Sequence, residues 1–229
     1  MHSPETLANF IRESLKHDKV INSAVFNILR TLKGNNMGDS YYENYLWHYG
    51  KRGDSFVDYY HLLWNIGAHL PVKNILEIGS RTGISIAQLL SSMISYDGLK
   101  VVLCDVFNDG FISPSLVKSN LKYLNIPTDN IEFVVGDSLV TIPEYKEKHP
   151  EQRFDYILVD GNHDKEYAAK DLRNVVDMLD PMGLVLFDDI AEDGCNLADV
   201  WFDFGKEYSD SFHFVQNYEG KGIGVGIKR

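Results

Sequence analysis

Three observations predict an α/β fold built on a doubly wound, mostly parallel seven-stranded sheet. From Val72 onward short apolar runs alternate with helical patterns, nearly every run ends on an acid, and the last two runs are joined by a short turn. The acids are Glu77 in NILEIG, Asp105 in VVLCD, Asp137 in FVVGD, Asp160 in YILVD and the Asp188-Asp189 pair in LVLFDD. Acids recurring in this way line one edge of a parallel sheet, where open α/β folds bind their ligands.

Residues 1–71 read as a helical extension and cap, and 72–229 as the sheet domain. Pro4 to His17 carries Leu7, Phe10, Ile11 and Leu15 at helical spacing, and Val20 to Leu32 carries Ile21, Val25, Ile28 and Leu29. The stretch Gly34 to Asp39 (GNNMGD) breaks that pattern. Nine aromatics follow between Tyr41 and Trp64, among them Tyr42, Tyr45, Trp47 and Tyr49. Packing between helices is the ordinary use of such density. The flanking glycines also suit a lid running from Gly34 to Gly53, and a contact in a homo-oligomer is a rival role for the same rings.

The sheet domain alternates regularly. Strands are predicted at 73–78, 100–105, 131–135, 154–159, 183–187, 212–216 and 222–227. Helices are predicted at 83–95, 115–124, 138–148, 164–179 and 196–208. The helix from 164 is the best signalled: Asp164 can cap it, Tyr167, Ala168, Leu172, Val175, Val176 and Leu179 form an apolar stripe, and Pro181-Met182-Gly183 stops it. The turn YEGK makes the last two strands an antiparallel hairpin at the sheet edge.

Composition narrows the function. At 229 residues, 44% hydrophobic and 24% charged, the chain has room for one α/β domain and its extension. A formal net charge of -11, with no basic run longer than Lys51-Arg52 or Lys228-Arg229, argues against nucleic acid as a partner. The first twenty residues lack the apolar run of a signal peptide or a membrane span, so a cytoplasmic protein without membrane contact is expected. Cys104 and Cys195 have neither metal-ligand nor disulfide-framework spacing and are expected to be free thiols.

The loop Glu77-Ile78-Gly79-Ser80-Arg81-Thr82-Gly83 follows a strand and opens a helix, placing glycines and free N–H groups where a carboxylate or phosphate can approach. A nicotinamide dinucleotide fingerprint needs a second glycine where Arg81 stands, which weakens an oxidoreductase reading. The pattern E-x-G-x-x-x-G, an acid ending the next strand and G-D ending the third resembles the class I S-adenosylmethionine-dependent methyltransferases over roughly residues 72–229. That resemblance implies that Glu77, Gly79, Ser80, Arg81 and Gly83 belong to the cofactor loop, and that Asp160 lies beside the cofactor. It also implies that Asp105 accepts hydrogen bonds from the ribose hydroxyls and that Asp137 with Ser138 meets the adenine edge. Taken singly, an acid such as Asp105 or Asp137 more often caps a helix than binds a ligand.

Downstream, Asp160-Gly161-Asn162-His163 and Asp188-Asp189 resemble the metal-dependent O-methyltransferases of the catechol type and the bacterial sugar and macrolide group. In the resemblance Asp160, Asp188 and Asp189 hold Mg2+ or Mn2+, and His163 is the general base. Adjacent carboxylates repel, and a hard divalent cation relieves that repulsion. A histidine of ordinary pKa ~6.5 can accept a hydroxyl proton. The expected reaction is methyl transfer to a hydroxyl of a small molecule, such as a sugar, natural product or catechol-like diol. A binding protein that keeps the cofactor fold without turnover is the other alternative.

Overall fold

The computed structural model describes residues 3–16, 18–33, 59–108 and 112–229. The expected lid and its aromatics Tyr41, Tyr42, Tyr45, Trp47 and Tyr49 lie outside the described residues.

Alternate apolar residues turn the sheet into the middle layer of three. In β1 (Asn74–Ile78) Ile75 packs with one hydrophobic cluster and Leu76 and Ile78 with the other, as period-two side chains must. The same holds for β2 (Lys100–Asp105), β4 (Phe154–Val159) and β5 (Leu179–Asp188). With β3 (Ile131–Val135), β6 (Phe212–Asn217) and β7 (Ile223–Lys228) they form a seven-stranded sheet in the order β3-β2-β1-β4-β5-β7-β6. β7 runs antiparallel to both β5 and β6, and the remaining pairs are parallel.

One face is covered by α1 (Pro4–Ser14), α2 (Lys19–Lys33), α3 (Tyr60–His69), α4 (Ile84–Ser91) and α5 (Pro114–Tyr123). The other carries α6 (Ser138–Lys148), α7 (Lys165–Val175) and α8 (Ala198–Glu207). Leu7, Ile11, Val25, Leu32 and Leu62 share one buried cluster with the sheet residues Ile75, Val101, Leu184 and Ile227, so the helical extension has no separate core among the described residues. No described helix is long and apolar enough to cross a membrane.

Two predicted helices end four residues early. α4 stops at Ser91 instead of 95, where the Ser92 hydroxyl donates to the Leu89 carbonyl at 2.8 Å and competes with the helical ladder. α7 was expected to continue to 179 and end at Pro181-Met182-Gly183, yet it ends at Val175 and tightens into a single 3-10 turn, Val176–Met178. Leu179 has already joined the sheet opposite Phe154, and Asp180 to Gly183 are taken up by a register shift before Leu184 meets Tyr156. Sheet pairing overrides the helical spacing of Leu179.

Candidate active site

The strand order reverses between β1 and β4, and the predicted site residues converge at the carboxyl ends of the strands around this switch. Ile78 pairs with Val159, and Val159 with Phe187, so the chain ends following them place Gly79 beside Asp160 and Asp160 beside Asp188. Gly79 has φ +88, and a Cβ there would lie 1.7 Å from the Asp160 carbonyl oxygen. Glycine is required at this crossing of β1 and β4.

A cavity of about 400 Å3 opens here, lined by Gly79, Arg81, Asp105, Asp137, Ser138 and Asp160 among others. Its size suits a nucleoside-sized ligand. Asp105 organises the floor: its Oδ2 accepts the Arg81 N–H at 2.8 Å and its Oδ1 the Phe107 N–H at 2.9 Å. Arg81 itself sits at φ +44, a left-handed conformation held by that bond. Asp137 caps α6 through the Leu139 N–H at 2.9 Å, and its other oxygen accepts the Tyr167 hydroxyl. Asp105 and Asp137 therefore both organise local backbone and face the cavity. Gly83 is the N-cap of α4, and the Ser80 hydroxyl is buried with no hydrogen-bond partner among the described residues. Glu77 lies beneath the loop, 1% exposed, accepting the Ser85 hydroxyl at 2.5 Å. Burial raises its pKa to about 8, against the smaller opposing effect of the Ser85 bond.

A smaller cavity, about 90 Å3, shares Gly79, Arg81 and Asp160 with the first and extends to Tyr59, His163 and Lys221. Below it lies the acidic cluster. Asp160, Asp188 and Asp189 each offer a carboxylate oxygen within 4.8 Å of the others. Asp188 and Asp189 are 2% and 1% exposed. His163 Nε2 stands 2.9 Å from Asp189 Oδ2 and 3.6 Å from Asp160 Oδ1. Hydrogen bonding to Asp160 and Asp189 raises the His163 pKa to about 9, outweighing partial burial, in contrast to the ordinary value expected from sequence. Burial pushes the Asp189 carboxyl up, but His163 and Lys221 together hold it below its ordinary range.

The carboxylate set fits a hard divalent cation: three oxygen donors converge and two are withdrawn from solvent. The Gly79 crossing and the unsatisfied Ser80 hydroxyl leave a cradle at the cofactor loop. His163, Asp189 and Cys195 form a second group of potential ligand atoms within 4.8 Å of one another. Both cysteines are free, and burial above all raises each thiol to about 11, so neither is a thiolate near neutrality.

Three contributors escaped sequence reasoning. Tyr59, preceding α3, donates to Asp160 Oδ2 at 3.3 Å, and no local pattern distinguished it from the packing aromatics around it. Tyr167 falls by spacing on the apolar stripe of α7, yet its hydroxyl donates to Asp137. Lys221 Nζ lies 3.3 Å from Asp188 Oδ2 and 3.2 Å from Asp189 Oδ1. Its signal was its place two residues ahead of the strand that pairs with β5.

Similarity to known proteins agrees with this geometry. No curated protein sequence matches the chain. The structure is similar to the O-methyltransferase from Bacillus cereus solved in complex with SAH (TM-score 0.63, 18% identity, covering 90% of this chain and 91% of that one). It is also similar to the SAH-bound methyltransferase of Podospora anserina (TM-score 0.58, 17% identity, covering 84% of this chain and 89% of that one). At such identities these likenesses speak for the fold. The family model described as a methyltransferase domain matches residues 76–190, just over half of the chain, from β1 to the loop after β5. With its strand order and the convergence of its strand ends, the chain belongs to the methyltransferase domain family.

Proposed function

We propose that the protein transfers a methyl group from S-adenosylmethionine to a hydroxyl of a small molecule, with a divalent metal, Mg2+ or Mn2+, assisting at Asp160, Asp188 and Asp189. The observation that carries this reading is the junction of two cavities at Gly79 and Asp160, one floored by Asp105 and Asp137 and the other lined by His163 and Lys221, with the Asp160 carboxylate also belonging to the cluster with Asp188 and Asp189. Both similar structures named above are described as methyltransferases with SAH, and that of Bacillus cereus as an O-methyltransferase.

When bound, S-adenosylmethionine supplies an electrophilic methyl group and the cation supplies a Lewis acid that eases ionisation of a hydroxyl. The chain's own residues do the rest. The loop from Gly79 to Gly83 holds the amino-acid end, Asp105 the ribose and Asp137 with Ser138 the adenine edge. Their remaining lone pairs make this feasible, because each carboxylate oxygen can accept a second bond. His163 Nε2 takes the hydroxyl proton. With its pKa near 9, His163 starts as an imidazolium pinned between two carboxylates, so it must first leave that grip and give up its Nε2 proton to solvent, which frees the lone pair that accepts the hydroxyl proton. Positioning the oxygen against the methyl group is the larger contribution, on the order of 7–11 kcal/mol for well-oriented reactants. Residues 1–71 serve as a cap on the 72–229 domain, a role supported by the contact of Tyr59 with Asp160. The acidic charge favours a small polyhydroxylated substrate over a polyanion.

The test is incubation of the purified chain with methyl-labelled S-adenosylmethionine and a panel of sugars and catechols, with and without a chelator. Label in an alkali-stable methyl ether, lost with the chelator, supports the reading. Label on nitrogen, or transfer indifferent to chelation, counts against the oxygen or the metal part respectively.

A further inference from the structure

The charge of the acidic cluster is answered in part by Lys221, which comes from the loop leading into β7. β5 and β7 pair antiparallel with Asp188 opposite Ile223, so the chain leaving β5 runs alongside the chain entering β7. The Ala191 N–H donates to the Lys221 carbonyl at 2.8 Å. Gly222, at φ +78, lets the backbones close up: a Cβ there would lie 2.6 Å from the Ala191 nitrogen. Gly194 packs against both partners, since its Cβ would lie 2.6 Å from Asp189 Oδ1 and 2.7 Å from the Lys221 carbonyl oxygen. Two loops locked backbone to backbone fix where the Lys221 stem starts. Its ammonium then enters the cluster 3.3 Å from Asp188 and 3.2 Å from Asp189.

We propose that Lys221 is a resident counter-cation of the acidic cluster, facing Asp188 and Asp189 where His163 faces Asp160 and Asp189, and that it sets the affinity of the cluster for a divalent metal, withdrawing when the metal enters. This rests on the metal reading above. An ammonium about 3 Å from two carboxylates and a Mg2+ that requires oxygens at about 2.0–2.1 Å compete for the same lone pairs. Without any cation, two adjacent carboxylates that are almost wholly buried would bear a heavy desolvation penalty. The lysine therefore holds the site closed and charged until metal arrives. The route out is open, because the Lys221 side chain is 36% exposed while those of the aspartates are 1% exposed, and it borders the cavity that holds His163. A four-carbon stem moves without disturbing the locked backbone.

The experiment is calorimetric titration of Mn2+ into the full chain as wild type, Lys221→Met, Lys221→Gln and Lys221→Arg, with thermal unfolding of each in the absence and presence of Mn2+. The proposal expects Met and Gln to bind Mn2+ roughly three- to fivefold more tightly, as befits loss of a partly exposed ion pair. Arginine, which keeps the charge, should stay within about twofold of wild type. Mn2+ should also raise the unfolding temperature of the Met variant by more than that of wild type. Equal or weaker Mn2+ binding by Met and Gln variants that unfold cooperatively overturns the proposal while leaving the metal site standing. Absence of Mn2+ binding in all four proteins instead removes the metal reading, and this proposal with it.

Discussion

Replacing Gly79 by alanine probes the crossing that joins the cofactor loop to the acidic cluster. Two costs combine. At φ +88 a residue bearing a Cβ loses about 1–2 kcal/mol relative to glycine. The new Cβ would lie 1.7 Å from the Asp160 carbonyl oxygen and 2.4 Å from its carbon, where ordinary contact requires about 3.5 Å. The obstacle is backbone, so it cannot rotate aside, and the ends of β1 and β4 must part. Overpacking of this kind adds about 1–3 kcal/mol. A total of about 2–5 kcal/mol is a large share of a stability of about 5–15 kcal/mol. Gly98→Ala is the control: its φ is also positive, +73, but the nearest atom is Lys73 Nζ at 3.6 Å, the far end of a flexible side chain. It should lose only the backbone cost, about 1–2 kcal/mol. Urea unfolding, with the midpoint shifting at constant slope, measures both. If the two variants lie within about 1 kcal/mol of each other, the steric reading of the crossing is wrong.

The remaining predictions concern charge. Glu77, folded with a pKa near 8 against 4.5 when free, is protonated in the fold, so stability should decline as pH rises from about 4.5 to 8. Glu77→Gln should flatten that decline, on the order of 2–4 kcal/mol, in denaturation series across pH. A wild-type curve already flat over this range would show that Glu77 ionises freely. For His163 the folded pKa is also raised, to about 9 from 6.5, so its contribution to stability is complete below 6.5 and is lost as pH rises through about 9. An NMR titration of the imidazole in the metal-free protein should report this, with the value falling in Asp189→Asn; the same ordinary value in both proteins would deny the ion pair. His163→Ala should lower the methyl-transfer rate by about 10^2–10^4 while leaving S-adenosylmethionine affinity unchanged. Loss of cofactor binding instead would make His163 a cofactor residue.

Much of this architecture is legible in the sequence because each signal is local. Alternating apolar runs and terminal acids mark the strands and the sheet edge where ligands gather, and Asp164 announces its helix by side-chain capping. Where a long-range pairing competes with a local pattern, the pairing wins, as at Leu179, which has helical spacing but sheet hydrogen bonding. The site follows the same division. Asp160, His163, Asp188 and Asp189 were readable from the motifs at two strand ends. Lys221 and Tyr59 reach the cluster only through register and helix placement, 33 and 101 residues from the partners they touch. The raised pKa of His163 was equally invisible, because it depends on a second carboxylate that the fold brings to 2.9 Å.

One sheet edge is proposed to hold a cofactor cleft and an adjoining metal cluster that meet at Asp160. Parallel calorimetric titrations of S-adenosylmethionine and of Mn2+ into wild type and Asp188→Asn test it most directly, since Asp188 belongs to the buried cluster while the cofactor cavity is lined by other residues. The account predicts S-adenosylmethionine binding within about threefold of wild type and Mn2+ binding weakened on the order of 100-fold or more. Mn2+ binding untouched by the substitution, or a wild-type chain that takes up no S-adenosylmethionine, would contradict it.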